Sequence, residues 1–179
     1  MDEHIADSLS GLEAPELRSA EQIADLGSGA GFPGLPLAVA LPDASVDLVE
    51  ATARKCEVID RLATAASAKN ARAVRARAEE LGEAAYDAVT ARAVAPLAVL
   101  AEYASPLLAE QGVLVAWKGA PEPEEEAVGG AVAMEFVRAV AVAPFPGAHS
   151  RRLVVLRKTG PTPPGLPRRP GMALKRPLG

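Results

Sequence analysis

The stretch Asp25-Leu26-Gly27-Ser28-Gly29-Ala30-Gly31-Phe32-Pro33-Gly34 decides the fold of this 179-residue chain. It follows an apolar segment, 22–25, that predicts the first strand of a sheet, and it precedes an apolar segment, 35–41, that predicts a helix. Glycines at alternate positions between a strand and a helix allow a positive φ and let a ligand lie directly on the backbone. The loop is therefore typical of a nucleotide-binding turn in an α/β fold.

The spacing of the glycines separates two kinds of ligand. A dinucleotide fingerprint needs a third glycine five residues after the first, but Phe32 stands there, because Gly31 comes one residue early. Pro33 and Pro36 also remove two N–H donors from the helix start, where a pyrophosphate would bind. A ligand without phosphates, such as S-adenosylmethionine, fits this loop better than NAD does.

An acidic residue follows at the distance expected for a ribose-binding group. The segment 46–50 predicts a second strand that ends in Glu50, which lies 23 residues after Gly27 and close to the ~20 expected for such an acid. A carboxylate there accepts two charge-assisted hydrogen bonds from a ribose diol. The alternative is that Glu50 caps the next helix, a role that Thr52 could fill equally well.

Composition excludes several classes of protein. Hydrophobic residues make up 49% of the chain, which is enough for one domain with a sizeable core and too much for a disordered chain. No apolar run reaches the ~18 residues of a membrane span, and the acidic segment 1–4 lacks the positive start of a signal peptide. One cysteine and two histidines argue against disulfides and a zinc site. We expect a cytoplasmic protein without a metal.

Charge is distributed unevenly along the chain. Residues 1–135 carry all 23 acidic residues and ten basic ones, whereas residues 136–179 carry nine basic residues and no acidic one. This asymmetry predicts an anionic partner at one end of the molecule, although a basic tail that only aids solubility is the alternative. Aromatic residues are only 3% of the chain, so contacts with phosphates are favoured over stacking on bases.

The rest of the chain alternates between predicted strands and helices. Further strands are predicted around Val74 and at 86–91, 112–117, 136–142 and 152–156; helices are predicted at 54–66, at 97–108 and from an acidic start at 121–126. This order predicts a mostly parallel, seven-stranded sheet with helices on both faces and an antiparallel hairpin at one edge, as in class I S-adenosylmethionine-dependent methyltransferases with their Rossmann-like α/β fold. Residues 159–179 form a Pro- and Gly-rich basic extension, which predicts an extended surface segment.

Several motifs together resemble one family over nearly the whole chain. It is similar to the bacterial small-subunit (16S) ribosomal RNA guanine-N7 methyltransferase G family, also called glucose-inhibited division protein B. The matching stretches are His4-Ile5-Ala6-Asp7-Ser8-Leu9, the glycine loop 25–34, Ala91-Arg92-Ala93, Trp117-Lys118-Gly119, Arg152-Leu153-Val154-Val155, Pro167-Arg168-Arg169-Pro170-Gly171 and Lys175-Arg176-Pro177-Leu178. The resemblance implies an S-adenosylmethionine-dependent enzyme that methylates N7 of a guanine in 16S rRNA, acting as a monomer on that RNA or on a precursor of the small ribosomal subunit.

The resemblance also implies a set of cofactor-binding residues. Glu50 would bind the ribose, and Arg92 would face the methyl donor and the incoming RNA. The other members would line the pocket or contact the adenine: Gly27, Ser28, Gly29, Phe32, Ala51, Thr52, Ala78 and Glu79. From the residues alone, Arg92 is a cation at the carboxyl end of a strand, with pairing to Glu102 or Glu50 as the alternative.

A second set of residues is expected to contact RNA. Its members are basic residues near the end of the fifth strand and in the extension: Lys118, Arg168, Arg169, Lys175 and Arg176. Lys118 could bind a phosphate or guanine O6, or could simply be an exposed lysine. Because guanine N7 carries a lone pair and no proton, no general base is needed, and Arg92 is the only candidate for a catalytic side chain. No metal ligand is assigned.

The start of the chain departs from the family pattern. Family members usually carry a helical segment before the His-x-x-Asp-Ser motif, which begins here at His4. We therefore expect residues 1–21 to be a remnant of that segment, with His4 and Asp7 poorly ordered, followed by a methyltransferase domain at 22–158. Glu50 replaces an aspartate that is common at its position and keeps the carboxylate.

Three other functions stay open at this point. The chain could methylate a small molecule, in which case the basic extension would have no role in activity. It could be a non-catalytic RNA-binding module that keeps the fold but binds no cofactor. An NAD oxidoreductase is disfavoured by Phe32 in the glycine loop and by the lack of an evident hydride-transfer partner.

Overall fold

One seven-stranded sheet organises the computed structural model, which describes residues 2–122 and 125–178. The strands lie in the order β3-β2-β1-β4-β5-β7-β6. Their bounds are Gln22–Leu26 (β1), Ser45–Val49 (β2), Ala71–Val74 (β3), Tyr86–Arg92 (β4), Leu108–Lys118 (β5), Met134–Val142 (β6) and Arg151–Lys158 (β7). Strands β1 to β5 are parallel, and β7 pairs antiparallel with both β5 and β6. The predicted mostly parallel sheet and its terminal hairpin are confirmed.

Helices cover both faces of this sheet. Their bounds are Asp2–Leu9 (α1), Pro15–Arg18 (α2), Gly34–Ala40 (α3), Ala53–Ala65 (α4), Leu97–Ala104 (α5) and Met172–Lys175 (α6). On one face α2, α3 and α4 place Leu17, Leu37 and Ile59 against the sheet, and on the other α5 places Leu100. Because the central strands β1, β4 and β5 are buried on both faces, their interiors show no alternation of buried and exposed residues, and β1 and β4 bury the polar Asp25 and Thr90 as well.

Two predicted elements differ from the structure. Helix α5 ends at Ala104, before the predicted residue 108, because Pro106 cannot continue a helix and Leu108 already begins β5. In place of a helix that begins at 121–126, the structure has short 3-10 turns at Glu125–Ala127 and Gly130–Val132. Residues 123 and 124 of that predicted helix lie outside the described residues. Gly129, with a φ of 114°, separates the two turns.

The N-terminal segment has a defined place in the structure. The backbone carbonyl of Asp7 accepts a hydrogen bond of 2.8 Å from Trp117 Nε1 in β5, and Asp7 itself is buried. The hydroxyl of Ser10 donates to the same carbonyl at 2.6 Å. Residues of α1 are thereby attached to the sheet, which differs from the expected poor order at Asp7.

One amide side chain connects α3 to the strands behind it. Asn70 Nδ2, just before β3, donates to the carbonyls of Ala38, Leu41 and Ala44 at 2.8–3.0 Å. These carbonyls lie at the end of α3 and in the turn to β2, where helix carbonyls lack partners within the helix. The Asn70 amide therefore holds α3 in position behind the glycine loop.

Replacing Asn70 tests this connection. We expect Asn70→Ala to lower the free energy of unfolding by about 2 kcal/mol, because three carbonyls lose a hydrogen bond from the amide and, of these three, Leu41 O keeps one from the N–H of Ala44. Asn70→Asp should be more destabilising than Asn70→Ala, since it places a carboxylate against those carbonyl oxygens. Urea unfolding followed by circular dichroism measures both values. Equal stability of the aspartate variant and the wild type would contradict the role of the amide.

Candidate functional site

The glycine loop turns tightly at the carboxyl end of β1. Gly27 has a φ of +66°, and a Cβ added to it would lie 2.8 Å from Cγ2 of Val94. A Cβ on Gly34, at the start of α3, would lie 2.8 Å from Oδ2 of Asp25. Both positions need glycine because a side chain would collide with a neighbouring part of the site.

The buried carboxylate of Asp25 connects the glycine loop to neighbouring elements. Asp25 Oδ2 accepts a hydrogen bond of 3.0 Å from the N–H of Gly34, and Oδ1 accepts one of 2.9 Å from the hydroxyl of Thr90 in β4. The hydroxyl of Ser28 donates to the backbone carbonyl of Asp25 at 2.8 Å. Complete burial raises the pKa of Asp25 to about 6, against the hydrogen bonds that favour its charged form.

The second carboxylate, Glu50, faces the same loop from the end of β2. Its two oxygens accept hydrogen bonds from the N–H groups of Thr52 at 2.8 Å and Gly29 at 3.2 Å, and Lys55 Nζ lies 3.5 Å away. Burial alone would raise the pKa of Glu50, but the hydrogen bonds from Thr52 and Gly29 and the charge of Lys55 lower it overall. Glu50 is therefore ionised and held in position near neutral pH.

A cavity of about 190 Å³ opens between the carboxyl ends of the first four strands. Five residues predicted from the sequence as cofactor-binding line it: Gly27, Glu50, Ala51, Ala78 and Glu79. Tyr103 of α5 forms another part of the wall, and its pKa is raised to about 12 by burial and by the nearby Glu79 carboxylate. We call this the first cavity.

The C-terminal extension closes one side of the first cavity. Gly171 and Leu174 line it, and the N–H of Gly171 donates to Glu79 Oε1 at 2.9 Å. Arg168 binds the buried carboxylate of Glu102 in α5 through two hydrogen bonds of 2.5 Å. The extension therefore packs against the domain, although the sequence suggested only a surface segment.

A second cavity, of about 230 Å³, lies beside the first at the ends of β4 and β5. Ala95 contributes to both cavities. Charged residues from four elements, α1, β4, β5 and β7, line the second cavity together with Trp117: Asp7, Arg92, Lys118 and Arg151. Two of these, Arg92 and Lys118, were predicted from the sequence to contact RNA or the methyl donor.

Arg92 is fixed by several contacts at the edge of the second cavity. Its Nη1 donates to Asp7 Oδ2 at 2.8 Å, and its guanidinium carbon lies 5.4 Å from the centre of the Phe32 ring. The alternative pairing with Glu102 or Glu50 is wrong, because Arg92 pairs with Asp7. Phe32 contacts Arg92 and does not belong to the lining of the first cavity.

Lys118 also has partners within the protein. Its Nζ donates to the carbonyl of Ala95 at 3.1 Å and pairs with Glu122, and only 13% of its side chain is exposed. The alternative of a simply exposed lysine is therefore wrong. Its ammonium group lies at the second cavity, where it can also donate to a ligand.

The other predicted residues fall into two groups. Ser28, Gly29 and Thr52 support Asp25 and Glu50 through hydrogen bonds and do not line the first cavity. Arg169, Lys175 and Arg176 are exposed in the extension. Arg168 differs from the expectation of a free cation, since Glu102 occupies its guanidinium.

Several site residues were not found from the sequence. Tyr103 lies within an apolar helix and gave no separate signal, and Gly171 and Leu174 reach the first cavity only through the fold of the extension. Asp7 belongs to the His4–Leu9 motif, which is a signal that could have identified it. The prediction that residues 1–21 are a remnant left Asp7 out of the site, although it pairs with Arg92.

The described residues contain neither a cluster of metal ligands nor a membrane-spanning helix. In residues 2–122 and 125–178, no three or more His, Cys, Asp or Glu side chains come together as a metal site would require. None of the helices in these residues has the length and apolar character needed to cross a bilayer.

The first cavity suits S-adenosylmethionine. Glu50 supplies a fixed acceptor at the end of β2 for ribose hydroxyls, and the alanines and Tyr103 supply apolar surface for an adenine. Because the N–H of Gly29 already binds Glu50, the loop offers few free donors for a pyrophosphate. The donor set thus fits a nucleoside without phosphates.

Solved structures of low sequence identity share this architecture. TrmN from Thermus thermophilus superposes with a TM-score of 0.67 at 20% identity, covering 84% of this chain and 48% of that one. A "predicted O-methyltransferase" from Agrobacterium tumefaciens gives a TM-score of 0.67 at 23% identity, covering 89% of this chain and 82% of that one. These likenesses show the fold, a seven-stranded and mostly parallel α/β sheet with an antiparallel hairpin at one edge.

Sequence comparison then gives the family. The chain belongs to the GidB family, rRNA small subunit methyltransferase G, whose model matches residues 1–154. The ribosomal RNA small subunit methyltransferase G of Pelotomaculum thermopropionicum is 42% identical over 98% of this chain and 77% of its own length. The enzyme of that name from Rubrobacter xylanophilus is also 42% identical, over 98% of this chain and 72% of its own length. The family resemblance inferred from the motifs is confirmed.

The raised pKa of Asp25 predicts a specific dependence of stability on pH. Because its folded pKa of about 6 exceeds the ordinary 3.8, the folded state holds the extra proton between these values. Stability from this group should therefore fall by roughly 3 kcal/mol as pH rises from about 4 to above 6. Asp25→Asn removes the titration. The unfolding free energies of the wild type and Asp25→Asn at pH 4 and pH 7 measure the contribution of Asp25. The same difference between the two proteins at both pH values would contradict this prediction.

The Arg168–Glu102 pair predicts a second effect on stability. Arg168→Ala leaves the Glu102 carboxylate, with 2% of its side chain exposed, without its partner. We expect a loss of about 3 kcal/mol in unfolding free energy. Arg169→Ala is the matched control because Arg169 is exposed, and its stability should equal that of the wild type. Thermal unfolding followed by calorimetry compares them, and two equal melting temperatures would rule out the anchoring role.

Proposed function

We propose that this chain transfers the methyl group of S-adenosylmethionine to N7 of a guanine in 16S rRNA. The observation that supports it is the arrangement of two adjoining cavities that share Ala95, in a chain of the rRNA small subunit methyltransferase G family. One cavity suits a nucleoside without phosphates. The other is bordered by Arg92, Lys118 and Arg151, whose positive charges suit a polyanionic substrate.

The first cavity would hold the cofactor through residues of three strand ends. Glu50 would accept hydrogen bonds from the ribose, Ala51 and Ala78 would contact the adenine, and Gly27 would let the ligand approach the backbone of β1. Ser28, Gly29 and Thr52 would act indirectly, by fixing the loop and Glu50. When bound, S-adenosylmethionine supplies an electrophilic methyl group on a sulfonium.

The reaction requires the protein to orient the guanine and does not require a proton transfer. Guanine N7 has an in-plane lone pair and carries no proton, so no side chain has to act as a base. Arg92 is held in one position by Asp7 and Phe32, and Trp117 is held by the carbonyl of Asp7. We infer that these fixed groups place the base beside the cofactor, which is where proximity contributes to rate.

The exposed cations of the extension would bind the RNA backbone. Arg169, Lys175 and Arg176 are free to contact phosphates, whereas Arg168 serves to attach the extension to α5. Each phosphate contact releases condensed counterions, so binding should weaken as salt increases. The chain would act in the cytoplasm as a monomer, on 16S rRNA or on a precursor of the small subunit.

Methyl transfer with a labelled cofactor tests the proposal directly. Labelled S-adenosylmethionine, small-subunit particles and deproteinised 16S rRNA that lack the modification are incubated with the protein, and N7-methylguanosine is located by borohydride and aniline cleavage. We expect label at one guanine. Absence of label from both RNA preparations would contradict the function, and label on a position other than N7 would correct its chemistry.

Glu50→Gln tests the cofactor site in the same system. A charge-assisted hydrogen bond is worth about 1.5–3 kcal/mol, so we expect affinity for S-adenosylmethionine to fall roughly 10- to 100-fold. Glu57→Gln is the matched control, because Glu57 is an exposed glutamate on α4 away from both cavities. Calorimetric titration measures both. Equal affinity in the two variants would mean that Glu50 does not bind the ribose.

A further inference from the structure

The carboxylate of Asp7 has one oxygen in use and one without a hydrogen bond. Oδ2 accepts from Arg92 Nη1 at 2.8 Å. Oδ1 is buried and receives no hydrogen bond from any group in residues 2–122 and 125–178. Arg151 Nε lies 3.7 Å from this oxygen, beyond hydrogen-bond distance. A buried acceptor without a donor is costly and rare in folded proteins.

The position of Asp7 suggests what this oxygen binds. Asp7 is 7% exposed and lines the second cavity, which adjoins the cofactor cavity at Ala95. Its backbone carbonyl is attached to Trp117 Nε1 at 2.8 Å, so the carboxylate is held at a fixed distance from β5. An unsatisfied acceptor on a residue that lines a cavity is an arrangement that a ligand donor can complete.

We propose that Asp7 Oδ1 accepts a hydrogen bond from the Watson–Crick edge of the target guanine and thereby selects guanine over adenine. This inference rests on the proposed function. Guanine presents two adjacent donors on that edge, N1–H and the N2 amino group, whereas adenine presents the N1 lone pair and a single amino group. An ionised carboxylate only accepts hydrogen bonds, so it matches guanine and repels the N1 lone pair of adenine.

The edges of guanine are compatible with this placement. N7 lies on the ring edge away from the N2 amino group, so a base with its N2 group at Asp7 leaves N7 unobstructed. O6 is an acceptor next to N7, and Lys118 provides a donor at the same cavity. Enzymes that modify a base commonly read its Watson–Crick edge in such a pocket after removing it from the stack.

Access to Oδ1 requires movement of one side chain. Arg151 lies next to this oxygen, with its Nε 3.7 Å away, and 49% of the Arg151 side chain is exposed. Rotation of this long side chain uncovers Oδ1 without disturbing the backbone, and it frees the guanidinium for a phosphate. Movement of Arg151 would leave the hydrogen bond between Arg92 and Oδ2 in place. A purely structural role of Asp7 would require only Oδ2, so it gives no reason for the unsatisfied Oδ1.

Base analogues at the target position test whether Asp7 recognises the base or has only a structural role. The guanine located by the cleavage experiment is replaced in ligated 16S rRNA by inosine, which lacks the N2 amino group, or by 2-aminopurine, which lacks N1–H and O6. Both analogues retain N7. We expect the wild type to methylate at least one analogue roughly 10- to 100-fold less efficiently than guanine in kcat/KM. Equal rates on all three bases would overturn the proposal without any variant.

Asp7→Asn then assigns the discrimination to Asp7. Arg92 should hold the amide oxygen, which turns the amide NH₂ toward the cavity, where it opposes the donors of guanine and suits the N1 acceptor of 2-aminopurine. We expect kcat/KM on guanine to fall and the ratio of guanine to 2-aminopurine to shrink by at least tenfold. A variant that loses activity equally on all three bases would show that Asp7 is only structural.

Ser10→Ala is the matched control. Its hydroxyl donates to the Asp7 carbonyl at 2.6 Å and accepts from Trp117 Nε1 at 3.2 Å, so its loss loosens α1 without changing the carboxylate. Any loss of activity in this variant should be equal on guanine and the analogues. If the wild type methylates no guanine, the proposed function fails and this inference fails with it. If it methylates guanine without discriminating, only this inference fails.

Discussion

The hydrogen bonds of the buried Asp25 carboxylate are the contacts on which the rest of the site depends. They connect the end of β1 to the start of α3 through Gly34 and to β4 through Thr90. The glycine loop lies between these attachments, so its backbone has little freedom to change shape. Glu50 then binds the outer side of the loop through Gly29, and the two carboxylates together fix the turn from both sides.

The ends of the chain complete both cavities. Asp7, from the N-terminal segment, lies beside Arg92 in the second cavity, and Gly171, from the C-terminal extension, binds Glu79 in the first. Residues of the predicted remnant at 1–21, domain at 22–158 and extension at 159–179 all contribute to the walls of these two cavities. The proposed catalysis by orientation would need such fixed walls, because the protein would supply position and not a reactive group.

Ion pairs between the two parts of the chain neutralise part of the uneven charge distribution. Acidic residues of the first 135 positions pair with basic residues of the last 44: Glu16 with Arg138 and Arg157, Glu102 with Arg168, and Glu125 with Arg152. Hydrogen bonding from Arg138 lowers the pKa of Glu16 to about 2, so this pair persists over a wide pH range. Much of the basic C-terminal charge is therefore paired within the fold, and a smaller exposed set remains for the proposed contacts with RNA.

The sequence by itself determined the class of fold, the glycine loop and the acid at the end of β2. These follow from local rules, since strand and helix periodicity, glycine conformation and strand-end spacing are readable within a few residues. The tertiary structure alone decided which charges are free. Arg168 and Arg169 are neighbours of the same type, yet one binds Glu102 and the other is exposed, because pairing depends on a residue 66 positions away. The environment of the unsatisfied Asp7 oxygen also depends on tertiary structure, because residues of α1, β4 and β7 come together there.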